Sequence, residues 1–259
     1  MAVTRSDIAC GLSALGVVPG NALLIHSSLS SFGDVEGGAD AVIDGALDAI
    51  SFNGAILGTV MVPTLTGHPD LSPENPPHID LRSTPSWTGL IPETLRKRPD
   101  AFRSIHPTHS CAAIGDHRAR EFTSRHEWSP TPCGVLSPYY RLAAAGGKIV
   151  MMGCGLESCT LFHTVEELAN VDYHLQPAVS HGSCIDAAGN RIETPCRLHS
   201  YDGPERNFPV MIPILEAHGF LRAGEIGECP VMVVDAGGLL VSTLERLRAD
   251  PRFLCRPSD

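Results

Sequence analysis

No apolar run in this chain is long enough to cross a bilayer as a helix. The opening residues, Met1-Ala-Val-Thr-Arg-Ser-Asp-Ile8, lack the apolar core of a secretion signal. Both absences lead to the expectation of a cytoplasmic protein without a membrane partner. Positive charge is scarce too: 19 Lys and Arg face 29 Asp and Glu, a formal net charge of −10. That balance argues against nucleic acid as a partner and is compatible with a small cationic substrate. His-Glu-x-x-His and paired Cys-x-x-Cys spacings are missing, so no metal is expected. The Walker loop and Gly-x-Gly-x-x-Gly are missing, which removes the common nucleotide-binding signatures. Gly-x-Ser-x-Gly is missing, which weakens a serine-hydrolase reading. The nine cysteines are scattered and odd in number, a pattern of free thiols in a reducing compartment rather than a disulfide framework.

What is present reads as an α/β chain. With 43% hydrophobic and 19% charged residues over 259 positions, the composition is that of a globular protein. We expect one layered α/β/α domain over residues 1–259, with a mixed central sheet. Short apolar runs at 22–25, 55–62, 110–114, 148–152 and 231–234 read as buried strands. Helical periodicity is read at 4–16, 38–50, 88–98, 139–145, 161–171, 208–217 and 236–248. Residues 178–200 read as antiparallel strands joined at Ala188-Gly-Asn190, and they suggest the mixed character of the sheet. Residues 64–99 are dense in proline, and we expect an ordered loop that covers the substrate.

Candidate chemistry concentrates in a few segments. Thr160-Leu-Phe-His-Thr-Val-Glu-Glu-Leu-Ala-Asn170 follows the Gly153-Cys-Gly155 turn. Its His163 and Glu166, three apart, share one face of a helix, and an imidazole beside a carboxylate is the minimal general-base unit. Taken alone, such a pair is more often a partly buried surface feature. His26-Ser-Ser-Leu-Ser-Ser-Phe-Gly33 lies between a strand and a helix, where ligands of open α/β sheets bind; its bland reading is a Ser-rich connection. His106-Pro-Thr-His-Ser110 is a tight turn that either walls a site through His109 or only bonds backbone. Cys111, Cys133 and Cys154 lie near His- or Gly-containing turns, so a Cys nucleophile stays open.

Taken in order, several segments resemble the aminoglycoside 3-N-acetyltransferase family: His26–Gly33, Val35-Glu-Gly-Gly38, Met61-Val-Pro-Thr64, His106–Ser110, Thr131-Pro-Cys-Gly134, Ser137-Pro-Tyr139, Gly146-Gly-Lys-Ile149 and Leu161–Glu167. The resemblance runs from about residue 20 to 175, more weakly to about 222. It implies an acetyl-CoA-dependent N-acetyltransferase whose fold is distinct from the common acetyltransferase superfamily. It implies that His26, Ser27, Ser28, Leu29, Ser30, Ser31, Phe32 and Gly33, with Val35, Gly37 and Gly38, cradle the coenzyme. Ser83, Ser86 and Thr88 match a further stretch near the cofactor. His163 and Glu166 would sit at the reacting amine, with His109 and His26 as competing bases. The implied partner is a small cationic amine, typically an aminoglycoside, and the chain would be a monomer or homodimer. One departure stands at Arg206-Asn-Phe208, where many aminoglycoside-active members carry an acidic residue and this chain has Asn207. Acetylation of another small amine, a Cys-dependent acyl transfer or hydrolysis, and non-catalytic coenzyme binding are the alternatives.

Overall fold

The run Ala22-Leu-Leu-Ile25 shows why the molecule is layered. Ala22 and Leu24 enter one hydrophobic core, whereas Leu23 and Ile25 enter another. Successive side chains of a strand point to opposite faces, so a fully apolar strand needs cover on both sides. The computed structural model describes residues 2–256. In chain order its elements are α1 (Arg5–Ala14), β1 (Ala22–Ser27), α2 (Gly38–Ala49), β2 (Ser51–Phe52), β3 (Ala55–Ile56), β4 (Thr59–Pro63), β5 (His78–Asp80), α3 (Leu90–Arg96), β6 (Phe102–Arg103), β7 (Cys111–Gly115), α4 (Arg118–Thr123), α5 (Pro138–Ala144), β8 (Lys148–Met152), α6 (Leu161–Ala169), β9 (Ser180–Ile185), β10 (Arg191–Cys196), α7 (Ile212–Ala217), β11 (Leu221–Ile226), β12 (Cys229–Asp235) and α8 (Ala236–Ala249).

Seven strands form the main sheet in the order β11-β12-β8-β1-β4-β7-β6. The centre is parallel, with β1 between β8 and β4. The flanks are antiparallel, β12 on β8 and β7 on β4. Ile149 and Met151 of β8 and Met61 of β4 pack beneath α4, α5, α6, α7 and α8. Val150 and Met152 of β8, with Val60 and Val62 of β4, pack beneath α1, α2 and α3 on the other face. The result is the expected α/β/α layering around a mixed sheet.

The source of the mixed character differs from the sequence reading. The 178–200 hairpin forms as expected around Asp186–Asn190, with β9 antiparallel to β10. It does not join the main sheet. It pairs instead with β5 from the Pro-rich segment in a separate three-stranded sheet, β10-β9-β5. The antiparallel flank of the main sheet is built by β11, β12, β7 and β6, and β11 has a polar pattern (Leu221-Arg-Ala-Gly-Glu-Ile226) that hid it among loops. The run 55–62 is also two elements. Ala55–Ile56 turns back on Ser51–Phe52 as a small ribbon, and only Thr59–Pro63 enters the sheet. The expected helix at 208–217 begins as a tighter 3-10 turn, Phe208–Met211, and becomes α-helical only from Ile212. Pro209 and Pro213 stand at the starts of these two pieces, where a missing backbone donor is tolerated.

Leu24 is fully buried in the central strand. Leu24→Ala should therefore cost about 2–5 kcal/mol, whereas Val18→Ala, at a position 52% exposed, should change stability by less than about 0.5 kcal/mol. Urea unfolding of the two variants measures the difference.

Candidate active site

The three parallel strands end together, β1 at Ser27, β4 at Pro63 and β8 at Met152. Beyond those carboxyl ends lies a cleft of about 340 Å³, the place where open α/β sheets bind ligands. Ile25, His26 and Ser27 form one wall, Pro63, Leu65, Trp87 and Thr88 another, and Cys154, Thr160 and His163 the third. A second cleft of about 540 Å³ adjoins it, with His109, His174, His199 and Arg206 in its wall. Leu65, Trp87, Glu157 and His163 line both clefts. His163 thus stands where the two spaces meet.

Helix α6 presents His163 there because Leu161, Phe162 and Val165 turn into the core, and Asn170 ends the helix in a left-handed conformation at φ 51°. The i, i+3 pairing read from the sequence is present. His163 Nδ1 lies 2.8 Å from Glu166 Oε2. His174 Nδ1 lies 3.0 Å from the same oxygen, and Arg206 Nε donates to Glu166 Oε1 at 3.1 Å. Glu166 is fully buried. Burial opposes its ionisation, but the hydrogen bonds and charges of His163 and His174 outweigh it and hold the carboxyl well below the usual range. With both Nδ1 atoms facing a carboxylate, each ring places its proton on Nδ1 and its lone pair on Nε2.

A second carboxyl follows directly. Glu167 Oε1 accepts from the Cys133 amide at 2.8 Å and meets His199 Nε2 at 3.0 Å. Burial, reinforced by the Glu166 charge, pushes Glu167 up to about 8 against the bonds it accepts from Thr131 and Cys133. Burial also drives His199 well below its ordinary value. This pair is therefore neutral at pH 7, in contrast to its neighbour.

The other expected residues separate into groups. Of the Ser-rich segment, His26 and Ser27 line the cleft. His26 Nε2 and Ser27 Oγ are buried without a hydrogen-bond partner among the described residues. Burial, with the His163 charge behind it, pushes His26 down to about 3. Leu29–Phe32 is a 3-10 turn in which Phe32 is buried in the core. Ser28 and Ser30 bond each other, and Ser31 Oγ donates to the Gly153 carbonyl at 3.2 Å. Gly153 has φ +69°, and a Cβ there would lie 2.3 Å from Ser31 Cβ, so this strand-end turn requires glycine. Gly33, Val35, Gly37 and Gly38 lead into α2, where Gly37 takes a left-handed N-cap at φ 85°. None of these four lines either cleft. Thr88 lines the first cleft, and its hydroxyl donates to the Pro63 carbonyl at 2.7 Å. Ser86 supports it at 2.6 Å, and Ser83 is outside the lining.

His109 is in the second cleft, with its Nδ1 2.9 Å from Thr108 Oγ1. Burial and neighbouring imidazoles keep it far below its ordinary value. His106 has the bland role: its Nδ1 accepts from the Thr108 and His109 amides and fixes the turn. Asn207 is absent from the lining of both clefts. Cys111 and Cys133 are buried thiols driven upward by desolvation. Cys154 reaches the first cleft but is pushed up to about 11 by burial and the Glu157 charge. None is a ready thiolate nucleophile. His174, His199, Glu167 and Arg206 were not expected. Their residue types suit a site, but no sequence spacing ties His174, His199 or Arg206 to α6.

The model of the family described as aminoglycoside 3-N-acetyltransferase matches residues 24–248. The chain belongs to that family. A relative named aminoglycoside N(3)-acetyltransferase VII, from Streptomyces paromomycinus, is 32% identical over 252 residues, covering 87% of this chain and 84% of its own length. The crystal structure of aminoglycoside acetyltransferase AAC(3)-Xa superposes with a TM-score of 0.81 at 29% identity, covering 99% of this chain and 95% of that one. AAC-IIIb, solved as a binary complex with CoASH, gives a TM-score of 0.78 at 26% identity with full coverage of both chains.

The two adjacent carboxyls should respond oppositely to pH. The folded-state value of Glu166 is lowered, so its stabilisation is complete above the unfolded value near 4.5 and is lost only on acidification below it. The folded-state value of Glu167 is raised, so its contribution is complete below about 4.5 and is lost as pH rises through about 8. Urea midpoints between pH 5 and 8 should show Glu166→Gln destabilised at every pH by about 1–3 kcal/mol. Glu167→Gln should remove a decline with pH that the native chain shows. Parallel pH profiles for native chain and Glu167→Gln would contradict the assignment.

Proposed function

We propose that this chain is an acetyl-CoA-dependent N-acetyltransferase that acetylates an amine of an aminoglycoside, by direct attack within a ternary complex. The observation that carries the reading is the position of His163 at the junction of the two clefts. The first cleft would hold the acetyl thioester, and the second the acceptor. Family membership and the CoASH complex of AAC-IIIb support this reading.

An ammonium has no lone pair and cannot attack a thioester. The acceptor first gives one proton to solvent, and as the resulting amine nitrogen bonds to the acetyl carbon His163 Nε2 takes a second proton from it. Glu166, ionised and already bonded to Nδ1, stabilises the imidazolium that forms and keeps the ring in place. His174 and Arg206 hold the two carboxylate oxygens and so orient Glu166. The tetrahedral intermediate collapses with cleavage of the carbon–sulfur bond, and the His163 imidazolium gives its proton to the departing coenzyme thiolate, which restores the neutral base. Ser27 Oγ and His26 Nε2, both unpartnered and buried at the first cleft, are the groups we assign to the cofactor end. A donor aimed at the developing oxyanion lowers the barrier. No protein nucleophile is required, in keeping with the protonated state of Cys154.

The decisive experiment is turnover of acetyl-CoA, followed by free-thiol release, against a panel of aminoglycosides and simple amines. His163→Ala should lower kcat by about 10²–10⁴-fold and still bind acetyl-CoA in calorimetry. Near-native kcat in His163→Ala across the pH range would move the base to His109. Turnover with simple amines but not with aminoglycosides would assign another acceptor class.

A further inference from the structure

We propose that the acceptor cleft also carries a divalent-metal site formed by His163, His174 and His199, suited to a borderline-soft ion such as Zn²⁺. One ring nitrogen from each of the three residues lies within 4.8 Å of the others. A tetrahedral ion with Zn–N bonds of about 2.0–2.1 Å needs nitrogens about 3.4 Å apart, so modest ring movements close the set. His163 has room for such movement, because its side chain is 29% exposed.

Three further observations point to a ligand. First, every ring is anchored through one nitrogen by a carboxyl group: His163 and His174 by Glu166, His199 by Glu167. Imidazoles anchored by a carboxyl group are the usual outer support of a metal site: the Glu166 carboxylate fixes the tautomers of His163 and His174 and raises their basicity, and the neutral Glu167 carboxyl holds the His199 ring in place. Second, His174 Nε2 is buried and has no hydrogen-bond partner among the described residues, although His174 is only 2% exposed. Third, all three rings line one cleft, which gives an ion a way in and leaves a fourth position for water. A neighbouring trio, His109, Cys133 and His199, is equally close. It is buried throughout, and Cys133 does not reach the cleft. The geometry therefore favours the trio of imidazoles.

An ion held there would bind the same lone pair that His163 offers to the acceptor. The site is thus inhibitory: metal and amine exclude each other, while the acyl-donor cleft stays open. Binding itself does not depend on the acetyl-transfer reading.

Titration of chelator-treated protein with Co²⁺, without substrates, tests the site directly. We expect visible d–d bands that saturate at one ion per chain and are removed by Zn²⁺. His199→Gln and, separately, His163→Ala should weaken Co²⁺ binding at least about tenfold, with circular dichroism checking that each variant is folded. Cys10→Ser and Cys255→Ser should leave the bands unchanged. Absence of a saturating band, unchanged affinity in both folded histidine variants, or a near-ultraviolet thiolate-to-cobalt band would overturn the proposal. In turnover assays Zn²⁺ should raise the acceptor KM and leave that of acetyl-CoA unchanged; a reversed pattern would overturn the inhibitory role alone.

Discussion

The candidate site depends on one buried negative charge. Glu166 has no exposed surface, and an ionised carboxylate without partners in such a place would carry a desolvation cost of several kcal/mol. Three donors from three parts of the chain remove that penalty: His163 from the same helix, His174 from the following loop and Arg206 from a segment 40 residues away. The carboxylate in turn determines what those groups can do. It orients both imidazoles with their protons toward itself, so that lone pairs remain for chemistry. It also holds Arg206, whose guanidinium lies 4.8 Å over the Tyr173 ring, and so ties the 200–208 segment against α6.

The adjacent Glu167 shows how finely this depends on donor count. It sits on the same helix and is buried to a similar degree. Burial, with the Glu166 charge, outweighs the bonds from Thr131 and Cys133 and the charge of Arg197, and the group stays protonated near neutrality. Two carboxyls one residue apart thus take opposite protonation states, one as a counter-charge for an imidazolium and the other as a neutral anchor for His199. Such divergence of neighbouring acids is characteristic of sites that handle protons.

Much of this was legible in the sequence. The β1, β4, β7 and β8 segments are short apolar runs with few alternatives, and the i, i+3 pair on α6 follows from helical periodicity alone. The resemblance carried by the ordered motifs identified the family. What stayed hidden is nonlocal. β11 has a solvated face and no apolar run. β5 and β6 are two or three residues long and take their order from pairing partners far along the chain. His174 and His199 stand in loops with no period, and only the fold brings their rings to 4.1 Å. Phe32 shows the converse: the Ser-rich motif includes a residue that the fold uses as core. The motif marks the strand end that shapes the cleft, through the close packing of Gly153 on Ser31, and only His26 and Ser27 within it face the cavity.

The net charge of −10 turns out to say little about the site. Asp40, Asp44 and Asp48 lie along α2, paired with Arg5 and Arg98, and α2 supplies no residue to either cleft. Within the second cleft the carboxylates open to an incoming cation are Glu157 and Glu205, and Glu205 already pairs with Arg256 at 2.9 Å. The walls are instead rich in imidazole. Burial depresses His109, His174 and His199, so these rings are neutral at pH 7 and offer lone pairs rather than positive charge. An ammonium group brings N–H donors and needs acceptors, and neutral imidazoles provide them without the desolvation cost of further buried carboxylates. Trp87, 63% exposed and common to both clefts, adds a ring face that attracts a cation. In the proposed reading, a cationic amine would be recognised here by local acceptors and an aromatic face. The net charge of the whole chain is the excess of 29 acidic over 19 basic residues, and the acids of α2 lie away from both clefts.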